Sequence, residues 1–232
     1  MNRMLRALAL ETSGRIGSVA LVEEGRVISE EQFPHGLQHA AKIQSTIQSL
    51  CAAASWKPAD FGELYVSIGP GSFTGLRISV TLAKTLAFVT GAKIVAVPTV
   101  RVLAHNAPAE ARHVIIVLDA KRGQIFTARF ERGDGGWIER EPAHLDTLTA
   151  MLTRSPRPVH LLGEGLPYHD KGIDDPLILR TPPESWRARA AVVAECGWAM
   201  ARAGRFADPL RLTPLYVRLP EAEEKFGLVN PH

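Results

Sequence analysis

The segment ELYVSIGPGSFTGLRISVTLAKTLAF, residues 63–88, holds the features that decide the fold. Its first six residues form an apolar run typical of a buried strand, and the glycine-rich turn GPGSFTG follows at 69–75. Apolar residues then recur at helical spacing, which predicts a helix over residues 73–90. A buried strand that enters a helix in this way is typical of α/β proteins, and the helix N-terminus can bind an anion.

The elements on both sides of this segment form two similar series. The first contains three strands, a helix, the buried strand, the second helix, a strand and a short helix, at about residues 4–10, 17–22, 25–33, 36–54, 63–68, 73–90, 93–98 and 99–106. The second contains three strands, a helix, a strand, a short segment and a long helix, at about 113–120, 123–130, 136–141, 144–153, 159–163, 177–180 and 185–204. This order predicts duplicated α/β subdomains.

The repeat also predicts the domain boundaries. Residues 1–106 form the first subdomain and residues 107–208 the second. Residues 209–232 contain four prolines and the run EAEEK, and we expect them to be an extended closing tail that packs back on the first subdomain.

Composition indicates an ordinary globular chain. The 232 residues are 46% hydrophobic and 22% charged, with a net charge of +3 and no concentrated basic stripe. No run approaches the ~18 apolar residues that a membrane span needs, and the N-terminus lacks signal-peptide features, so we expect a cytoplasmic protein. Cys51 and Cys196 are too few for a disulfide framework or a four-ligand zinc site.

The turn at residues 69–77 matches neither common phosphate-binding motif. A Walker A loop needs a lysine after its last glycine, and a dinucleotide fingerprint needs a glycine at position 74. Two interpretations stay open. In one, the glycines serve tight turns and close packing, and Ser72 or Thr74 caps the helix. In the other, the loop contacts a nucleotide or a partner protein.

The second helix carries more apolar surface than one sheet can cover. At 100° per residue, its two apolar stripes span about 200°, whereas a helix on a sheet needs about 100°. The stripes are Leu76, Val80, Ala83 and Ala87, and Ile78, Leu82, Leu86 and Val89. The helix at 36–54 has heptad-like apolar spacing and is the first candidate to cover this surface. The surplus predicts a helical interface with a partner, although burial of both helices inside the monomer explains the same pattern.

These motifs together resemble the TsaB (also called YeaZ) family. The resemblance covers nearly the whole chain and is carried by LALETSGRIGSVAL, VSIGPGSFTGLRISVTLAKTLAF, IVAVPTV, LDAKRGQIFTARF and the terminal PLYVRLPEAE. GPGSFTGLR together with LDAKRG is a specific combination. The resemblance implies the actin/Hsp70/sugar-kinase-like (ASKHA) fold, whose subdomains are duplicated βββαβα units.

The resemblance also implies a function. The chain would be a non-catalytic subunit of the bacterial threonylcarbamoyl transferase complex, in which TsaD modifies N6 of adenosine 37 in tRNAs that read ANN codons. It would form a heterodimer with TsaD, which the ATPase TsaE joins, contact tRNA through the complex, and form a homodimer when alone. The interface residues expected on the two helices are His39, Ile43, Ile47, Leu50, Phe73, Leu76, Arg77, Val80, Ala83 and Ala87.

By the same resemblance, the chain lacks a catalytic centre of its own. The metal-binding histidines of TsaD correspond to Arg101 and His105 here, and a guanidinium has no lone pair for a metal. The second glycine-rich turn is replaced by DAKRG at 119–123. We therefore expect no metal site and no intrinsic cofactor, with ATP or ADP and Mg bound only in the complex with TsaD and TsaE. Residues that would contact a nucleotide are Thr12, Ser13, Gly71, Ser72 and Asp119.

Two other functions remain as alternatives. The chain could be an ATP-binding or ATP-hydrolysing kinase-like enzyme that uses the cleft between its halves, and Mg-ATP binding with turnover would identify it. It could also be a tRNA-binding module in its own right, which a gel shift with steep salt dependence would indicate.

Overall fold

The computed structural model describes residues 4–34 and 39–217. Two five-stranded sheets form the centre of the molecule, and each begins with an antiparallel meander that continues into parallel strands. The first sheet has the order β3-β2-β1-β4-β5, with β1 Arg6–Glu11, β2 Ile16–Glu23, β3 Arg26–Pro34, β4 Phe61–Ser67 and β5 Lys93–Val97.

The second sheet repeats this topology. Its order is β10-β9-β6-β7-β8, with β6 His113–Asp119, β7 Ile125–Gly133, β8 Gly136–Asp146, β9 Val159–Leu162 and β10 Ile178–Arg180. In each sheet the first strand in sequence is central, with the next two strands on one side and the last two on the other. The predicted duplication of an α/β unit that begins with three strands is therefore confirmed.

The helices are exchanged between the two halves. They are α1 His39–Ala53, α2 Phe73–Thr90, α3 Thr99–Ala104, α4 Leu148–Arg154, α5 Leu166–His169 and α6 Ala190–Arg202. α1 and α2 cover one face of the first sheet, but its other face is covered by α6 from the second half of the chain. In the same way α3, from the first half, packs on the second sheet, whose opposite face is covered by α4. This exchange joins the two halves into one structure.

Side-chain size on β1 explains how helices fit on both faces of the sheet. Leu8 and Leu10 point to the core under α1 and α2, whereas Ala7 and Ala9 face α6. The small residues let α6 approach closely, and a Cβ on its Gly197 would lie 2.4 Å from the ring of Tyr65. Because successive side chains of a strand point to opposite faces, β1 presents large leucines to one helix layer and small alanines to the other.

The predicted start of the long helix at 185–204 is wrong. Residues 183–186 form a 3₁₀ turn, Arg187 and Arg189 are extended, and α6 begins at Ala190. Ser18 Oγ accepts a hydrogen bond from Ala190 N at 2.8 Å, so the cap comes from a distant strand. Sequence patterns do not reveal such a cap. The short helix α5 also escaped prediction, since four residues are too few for a periodic signal.

The described part of the closing tail runs along α2. Ala207 N donates to Ile94 O at 2.8 Å, and Lys84 Nζ donates to Leu212 O at 3.1 Å. Leu215 N then donates to Ile68 O at 2.7 Å, beside the start of α2. Residues 218–232 and the predicted helix start at 36–38 lie outside the described residues. None of the described helices is long and apolar enough to cross a membrane.

Candidate functional site

A cavity of about 300 Å³ lies between the two halves. Its first wall comes from the β1–β2 turn, the glycine-rich turn and α3, with Ser13, Arg15, Ser72, Thr99 and Leu103 among its residues. Its second wall carries Leu118, Asp119, Phe126, Glu164, Tyr168, Trp186 and Arg187. Of the residues that the resemblance associates with a nucleotide, Ser13, Gly71, Ser72 and Asp119 line this cavity. Thr12 is fully buried and is absent from the lining.

The glycine-rich turn is held tightly against the β1–β2 turn. Ser72 N donates to Ser13 O at 2.7 Å, and Thr12 Oγ1 donates to Gly75 O at 2.8 Å. A Cβ on Gly71 would lie 2.5 Å from Ser13 O, and one on Gly75 would lie 2.0 Å from Thr12 O. Ser72 Oγ accepts from Gly75 N as the cap of α2. Close packing therefore accounts for both glycines, in agreement with the structural interpretation.

A buried carboxyl group lies under this pair of turns. Glu11 is fully buried at the end of β1, and its Oε1 accepts hydrogen bonds from Ser13 N and Ser13 Oγ, both at 2.5 Å. Its Oε2 has no hydrogen-bond partner among the described residues. Burial raises the pKa of Glu11 more than the bonds from Ser13 lower it. The sequence shows Glu11 at the start of the turn Glu11-Thr12-Ser13, but local patterns did not predict that its side chain is buried.

Asp119 lies at the end of β6 on the second wall. His169 Nε2 is 2.9 Å from Asp119 Oδ1, and Lys121 N donates to the same oxygen at 3.1 Å. Partial burial on its own would raise the pKa of Asp119. The contacts with His169 and Lys121 outweigh it, so this pKa lies below the ordinary value and the group is a carboxylate at neutral pH.

The rim of the cavity combines aromatic rings with cations. Tyr168 is 59% exposed, and Arg15 Nη2 lies 3.4 Å from its hydroxyl across the cleft. Trp186 Nε1 donates to Thr181 O at 2.9 Å, which fixes the orientation of the indole. Arg187, on the same side as Trp186, is exposed.

Arg101 and His105, which the sequence resemblance matched to metal-binding positions, are both absent from the cavity lining. Arg101 Nη2 lies 3.3 Å from Glu139 Oε2, and its guanidinium lies over the Phe130 ring. The ring of His105 contacts Cys196 Sγ at 3.5 Å. Both side chains therefore pack against residues of neighbouring elements, β7 and β8 for Arg101 and α6 for His105. Among the described residues, no group of three or more His, Cys, Asp or Glu could hold a metal ion.

Most residues of the predicted helical interface are in the core. Seven are buried, with exposures of 9% or less: Ile43, Ile47, Leu50, Leu76, Val80, Ala83 and Ala87. Their stripes face the first sheet. Burial inside the monomer, the alternative that the sequence left open, accounts for the apolar spacing of these residues. The side chain of His39 and all of His35 lie outside the described residues.

The outer face of α2 remains exposed. Phe88 is 88% and Val89 75% exposed at its C-terminal end, while Phe73 is 38% exposed at the other end. Arg77 lies over the Phe73 ring at 4.3 Å and donates from Nε to Tyr216 Oη at 3.1 Å. We call these residues, Phe73, Arg77, Phe88, Val89 and Tyr216, the α2 surface. The surplus of apolar area that the sequence predicted is present here. Phe73 and Arg77 belong to the predicted interface and Val89 to a predicted stripe, whereas Phe88 and Tyr216 were not predicted.

Sequence comparisons relate this chain to proteins of tRNA threonylcarbamoyladenosine synthesis. Residues 35–164 match the family model of TsaD, described as tRNA N6-adenosine threonylcarbamoyltransferase. The tRNA threonylcarbamoyladenosine biosynthesis protein TsaB of Bacillus subtilis is 32% identical over 227 residues, which cover 94% of this chain and 96% of the relative. TsaB of Escherichia coli is 30% identical over 135 residues, or 57% of this chain and 58% of that protein.

Solved structures agree on the fold. YeaZ from Pseudomonas aeruginosa has a TM-score of 0.78 at 22% identity and covers 92% of this chain and 100% of its own. With the repeated strand order and the cleft between the sheets, this likeness defines the actin/Hsp70/sugar-kinase-like fold. Within that class, the chain belongs to the TsaB (YeaZ) family of tRNA threonylcarbamoyladenosine biosynthesis proteins, and it contains a TsaD-like domain.

Proposed function

We propose that this chain is a non-catalytic subunit that binds TsaD through the α2 surface and supports threonylcarbamoylation of adenosine 37 in tRNAs reading ANN codons. The observation that carries the proposal is the exposure of Phe88 and Val89 on a helix whose other apolar side chains are largely covered. Burying a phenylalanine or valine side chain contributes about 1.5–3 kcal/mol, so a partner that covers both would gain substantial affinity.

The composition of the α2 surface also suits a protein partner. Phe73, Arg77 and Tyr216 form a stacked cluster, with the rings of Phe73 and Tyr216 5.2 Å apart. Aromatic residues and arginine are enriched among the residues that contribute most to protein–protein binding. In the absence of TsaD the same surface would pair two copies of this chain, because an apolar helix face can bind its own equivalent about a two-fold axis. TsaE would join the complex of this chain with TsaD.

The geometry of the cleft supports a non-catalytic role for this chain. The two turns that would contact phosphate are joined by the hydrogen bond from Ser72 N to Ser13 O. The backbone carbonyls of Ser13 and Thr12 occupy the space next to Gly71 and Gly75. The chain would therefore shape and stabilise TsaD without donating an acid, a base or a nucleophile.

Co-purification with TsaD and a modification assay with and without this chain test the proposal. Phe88→Glu should abolish co-purification and the stimulation of TsaD. Leu177→Glu is a matched control, since this side chain is 49% exposed near the edge of the second sheet. Val80 and Ala83 are unsuitable as test positions because both are buried and charge there would disturb folding. Full complex formation by a folded Phe88→Glu variant would contradict the proposal.

The cavity keeps a second candidate function open for testing, namely ATP binding or hydrolysis. Ser13 and Ser72 on one wall lie opposite Asp119 on the other, across a cavity of about 300 Å³, as the side chains of a nucleotide site would. Calorimetry of the isolated chain with Mg-ATP distinguishes the two. Micromolar affinity with turnover would favour the enzyme, whereas no heat and no turnover would favour the subunit.

A further inference from the structure

We propose that the mouth of the interdomain cleft binds one unpaired nucleotide of an RNA strand, with its base inside the cavity and its phosphates on the rim. The proposal rests on the proposed function in one respect, namely that tRNA is the substrate of the complex. It adds which surface of this chain would contact the RNA and by what chemistry.

Three cations at the cavity or next to it form no salt bridge within the described ranges. Arg15 in the β1–β2 turn and Arg187 in the segment before α6 line the cavity, whereas Lys121 lies in the β6–β7 turn, two residues after the lining residue Asp119. All three are exposed. Elsewhere on the surface many arginines are neutralised, as Arg129 and Arg154 are by Glu141. Two distant segments therefore bring Arg15 and Arg187 to one opening, and Lys121 lies in the turn next to it. Cations grouped in this way suit the closely spaced phosphates of a nucleic acid.

Aromatic rings stand beside these cations. Tyr168 is mostly exposed at the opening, Trp186 is held by its bond to Thr181 O, and Phe126 lies on the same wall. Proteins that bind single-stranded RNA stack its bases on such rings while arginine and lysine contact the backbone. In double-stranded RNA the bases are already stacked and unavailable, so the arrangement favours an unpaired nucleotide.

The interior of the cavity fits a base better than a phosphate chain. Its volume of about 300 Å³ is at the lower end of the roughly 300–1,000 Å³ typical of small-molecule pockets. Asp119 and Glu164 line it, and carboxylates accept hydrogen bonds from the exocyclic amino groups of bases and from ribose hydroxyls. The same carboxylates repel phosphate. The electrostatics thus direct the base inward and the phosphates toward Arg15, Lys121 and Arg187.

The backbone of the β6–β7 turn gives separate support. Lys121 and Arg122 have φ angles of 61° and 53°, a region that non-glycine residues seldom occupy. Gln124 N donates to Lys121 O at 3.0 Å, which closes the turn on itself. Strained residues of this kind concentrate at binding sites. Here the turn carries two basic side chains where asparagine and glycine would fit the backbone better.

Fluorescence anisotropy of a labelled, unstructured RNA oligonucleotide with the full chain tests the proposal. Arg15→Glu, Lys121→Glu and Arg187→Glu should each weaken binding about tenfold, and lower the slope of log affinity against log salt by about 0.7 for each lost phosphate contact. Tyr168→Ala should weaken binding about tenfold through lost stacking. Arg26→Glu is the matched control, since this exposed arginine begins β3, at the end of the β2–β3 hairpin opposite the cleft.

The outcomes separate this proposal from the proposed function. Rim variants that bind RNA weakly but still co-purify with TsaD would support it. Rim variants that bind RNA as the unchanged chain does would overturn it. A free nucleotide such as AMP that binds as tightly as the oligonucleotide would also overturn it, because the cleft would then be a small-molecule site. Loss of TsaD binding in the rim variants would instead assign the rim to protein docking and overturn the RNA contact.

Discussion

The carbonyl oxygen of Thr12 lies 2.0 Å from the position that a Cβ atom would take on Gly75. The Thr12 hydroxyl also donates a hydrogen bond to the carbonyl of Gly75 at 2.8 Å. The two residues are thus joined by a hydrogen bond, and the backbone of Thr12 leaves no room for a side chain at position 75. This contact fixes the start of α2 against the end of β1. It therefore positions both the floor of the cleft and the α2 surface.

Substitution of Gly75 should be costly for this reason. Gly75→Ala forces a methyl group into a backbone carbonyl that cannot rotate away, and we expect a loss of about 1–3 kcal/mol in the free energy of unfolding, or more. Gly135→Ala is the matched control, because a Cβ there meets nothing within 4 Å. Urea unfolding of both variants measures the difference. Equal stability of the two would show that the contact relaxes without cost.

The buried carboxyl group of Glu11 predicts a specific dependence of stability on pH. Its pKa is raised in the folded protein, so between 4.5 and the folded pKa the native state binds more protons than the unfolded state. This contribution to stability is fully present below pH 4.5 and is lost as the pH rises through the folded pKa. Glu11→Gln keeps an oxygen acceptor for Ser13 without the charge, and should be more stable than the unchanged chain at pH 7.

The advantage of Glu11→Gln should shrink toward pH 4, where the carboxyl group is protonated in both states. Glu131→Gln serves as the control of opposite sign, since the hydrogen bond from Arg140 lowers the pKa of Glu131. Its cost should be present at pH 7 and disappear in acid. Urea unfolding measures both, over a pH range from 8 down to values below 4.5, where the contribution of Glu131 is lost as the pH falls through its folded pKa. A Glu11→Gln variant that is less stable than the unchanged chain at pH 7 would contradict the assignment.

Two buried histidines should make the protein less stable in acid, which is opposite to the effect of Glu11. Burial lowers the pKa of His113 and of His160 below 6.5, and the Nδ1 atom of each has no partner within the described part of the chain. Since the unfolded state then binds more protons, stability should decrease as the pH falls from 6.5 through the folded pKa. His160→Leu should reduce this acid-side loss. An unchanged pH profile of unfolding for His160→Leu would show that the ring is not the source.

The order of elements could be predicted from sequence because each strand of the two meanders has its own apolar run. The faces of α2 could not. Leu76, Val80 and Ala83 form a stripe that looks equally suited to a partner or to a sheet, and only the path of the chain shows that the sheet covers it. Phe88, the most exposed residue of the α2 surface, was left out because it lies outside both predicted stripes.

Long-range contacts account for the other differences. The start of α6 depends on Ser18 as its cap, and the packing of α6 on the first sheet depends on the alanines of β1. The role of Glu11 depends on burial beneath two turns that are about sixty residues apart in sequence. Local patterns carry none of this information, whereas the glycine-rich turn was found because its chemistry is local.

The strained turn at Lys121 gives a prediction that separates binding from stability. Lys121→Ala and Lys121→Gly both remove the charge, but only glycine adopts a φ of 61° without steric cost. We expect Lys121→Gly to be more stable than Lys121→Ala by about 1 kcal/mol. Both should bind the RNA oligonucleotide with the same reduced affinity, because both lose the cation. Thermal unfolding and anisotropy on the same samples measure the two quantities. If the glycine variant regained the affinity of the unchanged chain, the turn would act through its backbone and the phosphate contact assigned to Lys121 would be refuted.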